Sequence, residues 1–158
     1  MSENGVPWHL HYSAFANIKE PEDLEEYLAL QDDDYKVIKF YEEHGSWRQV
    51  ARLTSEEEAT IERLVANRDE RKCYYNAMTA ATPGSLTYVE GYALTGDVAV
   101  PHAWVEIEKK VVDITRNMDA KWYYGVEFEF DTVAEMMLEC GTAMPIAEWM
   151  VDGCKRGV

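Results

Sequence analysis

Four apolar runs between residues 86 and 130 constrain the fold of this chain more than any other feature of its sequence. They are rich in Val, Tyr, Trp and Ile, which are residues that favour β-strands. The pattern predicts strands at Leu86–Leu94, His102–Ile107, Lys110–Thr115 and Val126–Phe130. These strands are expected to form an antiparallel sheet.

The residues before and after these runs have the apolar spacing of helices. Four helices are predicted before the sheet, beginning at Pro21, near Tyr35, at Thr54 or Ser55, and at Cys73. Two shorter ones are predicted after it, from Asp131 or Thr132 through Cys140 and from Pro145 to Val151. This order predicts an α+β fold in which N-terminal helices pack on an antiparallel β-sheet.

The length of the chain fits one compact domain. The 158 residues contain no internal repeat and no low-complexity linker. We therefore predict a single domain over residues 1–158, with a helical N-terminal part at 1–70 and a core at 73–130.

The charge of the chain limits its partners. Its 30 acidic and 15 basic residues give a formal net charge of −15. A charge of this sign repels phosphates, so the sequence predicts no binding of nucleic acid. No membrane contact is predicted either, because no stretch approaches the roughly 20 apolar residues of a membrane span.

The cysteines indicate the compartment. The chain has three, Cys73, Cys140 and Cys154, and no two of them have CxxC spacing. An odd number of cysteines without CxxC spacing predicts free thiols. Met1–Lys19 contains no apolar run long enough for a signal peptide, so the predicted location is the cytoplasm.

Cys73 is the first candidate for chemistry. It is expected to lie at the start of a helix, directly after Arg71 and Lys72. The N–H groups and partial positive charge of a helix start, together with neighbouring cations, lower the pKa of a thiol and make it a better nucleophile. A buried packing role is the other interpretation of such a residue.

His102 and Asp113 are expected to meet through a hairpin. A two-residue turn at Glu108-Lys109 would pair Ile107 with Lys110 and place Trp104 opposite Asp113. Residues two apart on a strand share a face, so His102 and Asp113 become diagonal neighbours about 7–8 Å apart. A carboxylate there can orient the imidazole of a catalytic base.

The order Cys, His, Asp and the surrounding motifs resemble the transglutaminase-like (papain-like) superfamily of cysteine enzymes. The matching stretch runs from Cys73 to about Phe130, somewhat over a third of the chain. Its most specific piece is His102-Ala103-Trp104-Val105-Glu106, followed by Asp113-Ile114-Thr115, which is similar to the His and Asp strands of that superfamily and of its lasso-peptide leader proteases. Tyr123-Tyr124-Gly125-Val126 is similar to a segment of small, often phage-encoded members.

The resemblance implies Cys73 as nucleophile, His102 as base and Asp113 as the residue that orients the His. It also implies a protein or peptide substrate, a thioester intermediate, and no metal or organic cofactor. The chain departs from the pattern of the superfamily at two places. Lys72 occupies a position at which many members have an aromatic residue or Gly, and Asp113-Ile114-Thr115 replaces the usual Asp-Pro-Thr motif. For the oxyanion, the Cys73 N–H is the expected first donor, and Asn76, Trp104 and Trp122 are candidates for the second.

Other functions remain open at this level. His9, His11 and His102 with the cysteines could bind zinc, although no pair has finger spacing. The acyl-CoA chemistry of arylamine N-acetyltransferases uses the same order of residues. The alternative from another class is a non-catalytic inhibitor or adaptor, of phage type, whose acidic surface binds a basic partner.

Overall fold

The computed structural model describes residues 35–66, 68–69, 71–95, 98–115 and 120–154. The predicted helix at Pro21 and the two histidines at positions 9 and 11 lie outside these residues. The described part is an α+β fold, as predicted, with five helices and five strands in it. In chain order they are α1 (Tyr35–His44), β1 (Ser46–Arg48), α2 (Ser55–Ala66), α3 (Cys73–Ala80), β2 (Thr87–Thr95), β3 (Val98–Ile107), β4 (Lys110–Val112), β5 (Trp122–Phe128), α4 (Phe130–Cys140) and α5 (Ile146–Asp152).

The strands form one antiparallel sheet in the order β1-β5-β2-β3-β4. The predicted antiparallel sheet is therefore confirmed, while β1 was not predicted. Trp47 of β1 pairs with Tyr124 of β5, and their rings lie edge to face with centroids 5.0 Å apart. A strand of three residues is too short to show the alternation of apolar and polar residues that predicts a strand. Its pairing with β5 is what identifies β1 as a strand.

The hairpin between β3 and β4 has the predicted register. Ile107 pairs with Lys110, and the two turn residues Glu108 and Lys109 have positive φ angles of 50° and 63°. Two-residue turns of this left-handed kind match the twist of the flanking strands, even though Glu-Lys is not a preferred sequence for them. The turn fixes which residues of β3 and β4 share a face.

The two faces of the sheet have separate apolar clusters. The larger cluster lies between the sheet and the helices, and it includes Tyr41, Ala77 and Tyr92. The smaller cluster is on the other face and consists of Val89, Ala93, Trp104, Val111, Ala120 and Tyr123. Side chains alternate along a strand, so each residue of β3 belongs to one face or the other.

A capping box is present at the predicted start of α2. The Thr54 N–H donates to Glu57 Oε1 at 2.8 Å, and the Glu57 N–H donates to Thr54 Oγ1 at 3.1 Å. Lys110 Nζ of β4 also donates to Glu57 Oε1, at 2.5 Å. The same carboxylate therefore caps the helix and links it to the edge of the sheet.

Cys140 and Cys154 form a disulfide, with their Cα atoms 5.3 Å apart. The prediction of three free thiols is therefore wrong for these two residues, and Cys73 is the free cysteine. The bond links the end of α4 to the segment after α5, which is a contact between elements that sequence spacing does not reveal. The predicted cytoplasmic location rested on free thiols and stays a prediction.

Loss of this disulfide is expected to lower the free energy of unfolding by about 3 kcal/mol, since it closes a loop of about 15 residues in the unfolded chain. A Cys140→Ser/Cys154→Ser variant should show this loss in urea unfolding. Reductant should lower the Tm of the parent protein and leave that of the double variant unchanged. Equal stability of the two proteins without reductant would contradict the bond.

Among the described helices, none has both the length and the apolar character that crossing a bilayer requires.

Candidate functional site

The structure brings His102 and Asp113 together as a buried pair. His102 Nε2 lies 2.8 Å from Asp113 Oδ1 and 2.9 Å from Oδ2, and the two residues are only 3% and 2% exposed. An ionised carboxylate can only accept, so Nε2 is the protonated nitrogen in this arrangement. Nδ1 is then the nitrogen with a lone pair, and it can accept a proton.

The backbone around His102 explains why the pair fits there. His102 on β3 is opposite Gly91 on β2, and Gly91 is in turn opposite Gly125 on β5. A Cβ at Gly91 would lie 2.1 Å from the Tyr124 carbonyl oxygen, and one at Gly125 would lie 2.9 Å from the Trp104 ring. Gly125 therefore leaves space for the Trp104 ring, and Gly91 allows the backbone of β5 to approach β2 closely.

Two aromatic residues surround the pair. The Tyr123 hydroxyl donates to Asp113 Oδ2 at 2.8 Å. The Trp104 ring is nearly parallel to the His102 ring, with centroids 6.2 Å apart, and meets the Tyr123 ring edge to face at 4.9 Å. The pair is thus enclosed by the smaller apolar cluster, in which a charge-assisted hydrogen bond is stronger than in water.

Glu106 is a further buried polar residue, and it is bonded to Trp104. Its Nε1 donates to Glu106 Oε2 at 3.3 Å, and the Glu106 carboxylate accepts from Arg48 Nε at 2.8 Å and Nη2 at 2.7 Å. The hydrogen bonds to Glu106 raise the pKa of Arg48 against the opposing effect of burial. The two-point contact fixes Glu106, and through it the indole beside His102.

Cys73 is the first residue of α3, as predicted, and is half-buried. It packs against the larger apolar cluster, and its helix lies against β2 and β3. Burial is the main cause that raises the pKa of Tyr88 on this side of the sheet, the charge and hydrogen bond of Glu90 follow, and the charge of Cys73 contributes least.

Asn76 links the first turn of α3 to the residues that follow Asp113. Its Nδ2 donates to the Asp69 carbonyl at 2.6 Å and to Thr115 Oγ1 at 2.9 Å. Its Oδ1 accepts from the Asp69 N–H at 2.9 Å. Cys73 is three residues earlier on the same helix, so these bonds tie the first turn of α3 to the segment that follows Asp113.

Cys73 and His102 pack near different apolar clusters. His102 shares a face with Trp104, which belongs to the smaller cluster, whereas Cys73 packs in the larger one. β4 pairs only with residues 105–107 of β3, so the His102 backbone is beyond the end of that pairing.

The candidate second donors for an oxyanion have other contacts. Both Asn76 and Trp104 already donate to protein oxygens. Trp122 begins β5 and packs edge to face on Trp47, with ring centroids 6.3 Å apart, and β5 is separated from β3 by β2. The Cys73 backbone N–H stays the predicted first donor.

Two of the clefts in the described part bear on the candidate site. One, of about 590 Å³, lies between the segment after α3 and the start of α4, and its lining includes Pro83, Tyr88 and Phe130. The other, of about 170 Å³, is lined by Leu64, Asn76 and Ile114 among others. Neither cleft is lined by Cys73 or His102.

Sequence reasoning missed Glu90, a fully buried carboxylate on the helix-facing side of β2. It accepts hydrogen bonds from the Tyr88 and Tyr41 hydroxyls at 2.5 and 3.2 Å, and from the Ile146 and Ala147 N–H groups at 2.8 and 2.6 Å. Burial raises the pKa of Glu90 to about 7 against the lowering effect of these donors. A charged residue between two tyrosines at strand period was the signal that could have identified it.

No group of three or more His, Cys, Asp and Glu side chains suited to a metal ion occurs within the described ranges. The histidines at positions 9 and 11 of the zinc hypothesis are outside those ranges. Neither a family model, nor a curated protein, nor a solved structure matches this chain.

Proposed function

We propose that this chain is a cysteine-dependent amide hydrolase or acyl transferase of the protease, deamidase or transglutaminase type. In it Cys73 is the nucleophile, His102 the base and Asp113 the residue that orients His102, within a transglutaminase-like core. The observation that supports this most is the buried His102–Asp113 pair, in which Nε2 is bonded to the carboxylate at 2.8 Å. Such a pair leaves Nδ1 as the proton acceptor, which is the arrangement a catalytic base requires.

The position of Cys73 adds support. A thiol at the start of an eight-residue helix lies beside N–H groups that stabilise a thiolate. The Asn76–Thr115 bond holds that helix end against the segment following Asp113. The helix that begins with the proposed nucleophile is thus bonded to the segment that follows the proposed orienting carboxylate.

The mechanism follows from these roles. His102 Nδ1 takes the Cys73 proton, and the sulfur attacks the carbonyl carbon of a peptide bond or of a Gln or Asn side chain. The C–N bond breaks, and the amine leaves with the proton from Nδ1. Water, or a second amine in its place, then attacks the thioester carbonyl and gives a proton to Nδ1. The C–S bond breaks, the Cys73 sulfur takes that proton back, and the acid or the new amide is released.

The reactivity of Cys73 tests this function. Because Cys140 and Cys154 are joined, iodoacetamide added without reductant reports Cys73 alone. At pH 6 the thiol is expected to react about 100-fold faster than glutathione, because a neighbouring imidazole and helix start keep it ionised. His102→Ala should remove this excess, as measured by mass spectrometry.

His44→Ala is the matched control, since His44 ends α1, and it should leave the rate unchanged. If the parent protein reacts no faster than glutathione, or if His102→Ala reacts as fast as the parent, the enzymatic function is wrong.

A second candidate function is the non-catalytic adaptor that binds a basic partner. Two observations favour it: His102 and Asp113 are buried, and neither described cleft contains the thiol. Binding of a lysine-rich peptide that weakens with salt, and that Cys73→Ala leaves unchanged, would support this candidate.

A further inference from the structure

We infer that Tyr123 is a positioning residue of the candidate site, and that its hydroxyl fixes the Asp113 carboxylate so that the carboxylate in turn holds the His102 ring. The catalytic consequence of this inference rests on the proposed function, whereas the positioning itself does not.

The three side chains share one set of short contacts. Asp113 Oδ2 accepts from the Tyr123 hydroxyl at 2.8 Å and lies 2.9 Å from His102 Nε2, while Oδ1 lies 2.8 Å from the same nitrogen. All three residues are at most 3% exposed. A buried carboxylate without its donors is costly, so these bonds favour one carboxylate orientation.

The backbones of Tyr123 and Asp113 are held to different extents. Tyr123 lies within β5, paired with Ala93 of β2 on one side and Arg48 of β1 on the other. Asp113 follows the last residue of the three-residue strand β4. Strand pairing on both sides therefore fixes the Tyr123 backbone. Its hydroxyl holds the Asp113 carboxylate, whose own backbone lies beyond the end of β4.

The Trp104 ring fixes the Tyr123 ring in turn. The two rings meet edge to face at 4.9 Å, and a Cβ at Gly125 would lie 2.9 Å from the Trp104 ring. Tyr123 therefore has little freedom to move its hydroxyl away from Asp113. Removing that hydroxyl should leave the ring packed and remove one of the bonds that orient the carboxylate, which loosens the His102 Nε2–H bond.

The downfield NMR signal of the His102 Nε2–H proton tests this directly. Tyr123→Phe keeps the ring and removes only the hydroxyl, and it should make this proton exchange with solvent at least about tenfold faster. Tyr124→Phe is the matched control, because the neighbouring Tyr124 hydroxyl donates to the Glu42 carbonyl at 3.0 Å, away from the pair. It should leave the exchange rate unchanged.

Alkylation of Cys73 separates this inference from the proposed function. If the function is also correct, Tyr123→Phe should lower the alkylation rate at pH 6 about tenfold, while Tyr124→Phe does not. Faster exchange in Tyr123→Phe without any excess reactivity of the parent thiol would support the positioning role and reject the enzyme.

A measurement on the parent protein covers the case in which Tyr123→Phe does not fold. The Tyr123 hydroxyl proton should then appear as a slowly exchanging signal with a nuclear Overhauser contact to the His102 Nε2–H proton. Absence of that contact, or an Nε2–H exchange rate in Tyr123→Phe equal to that of the parent, would overturn the inference.

Discussion

Glu90→Ala is expected to lower the free energy of unfolding by about 4 kcal/mol or more. The change leaves the Tyr41 and Tyr88 hydroxyls and the Ile146 and Ala147 N–H groups without their acceptor. Each buried donor left unpaired costs about 1–3 kcal/mol. Because a domain of this kind is stable by only about 5–15 kcal/mol, the variant should be close to unfolding at room temperature.

The pH dependence of this effect follows from the raised pKa of Glu90, which burial sets at about 7. A raised value means that the folded state favours the protonated carboxyl. Its contribution is therefore complete below the unfolded pKa of roughly 4.3 and is lost as the pH rises through 7. The destabilisation by Glu90→Ala should accordingly be about 3 kcal/mol larger at pH 5 than at pH 8.

Urea unfolding at both pH values measures the effect. Glu135→Ala on the exposed side of α4 is the control and should change the stability by at most about 0.5 kcal/mol. A Glu90→Ala loss as small as that of Glu135→Ala would show that the four contacts do not hold α1 and α5 on the sheet.

Arg48→Met is expected to cost about 3–5 kcal/mol, because it leaves the Glu106 carboxylate buried without its cation. Glu106 is 2% exposed and accepts two hydrogen bonds from the guanidinium, at 2.8 and 2.7 Å. The double variant Arg48→Met/Glu106→Leu should recover most of the loss, since apolar side chains of similar size remove both charges together.

The chain offers an exposed pair as the comparison. Lys109 Nζ lies 3.2 Å from Glu127 Oε2, but the Lys109 side chain is 73% exposed. Lys109→Ala should therefore change the stability by less than about 1 kcal/mol. If Arg48→Met costs no more than Lys109→Ala, or if the double variant is no more stable than Arg48→Met, the buried pair does not have the role described.

The parts of the molecule that the sequence predicts well depend on local patterns. The hairpin at Glu108-Lys109 follows from the spacing of two strands, and its register alone brings His102 and Asp113 together. The Thr54–Glu57 capping box and the start of α3 at Cys73 also depend on neighbouring residues only. Local hydrogen bonds and alternation decide all of these features.

The features that were missed depend on contacts between distant elements. The Cys140–Cys154 bond joins the end of α4 to the segment after α5, and β1 exists because β5 pairs with it. The Tyr123 hydroxyl donates to Asp113 because the strands are arranged in the order β5-β2-β3-β4. This strand order cannot be predicted from the spacing of residues along the chain. For the same reason the sequence predicted a convergence of Cys73 and His102 without showing which apolar cluster each residue packs against.

The pairing of Cys73 with His102 is the central claim, and the ionisation of the single free thiol tests it most directly. The absorbance of the thiolate near 240 nm, followed against pH without reductant, reports Cys73 in the parent protein and in His102→Ala. If the two side chains interact, the parent midpoint lies well below the roughly 8.5 of an ordinary thiol, and His102→Ala raises it by at least about one unit. Superimposable curves for the two proteins would contradict the account.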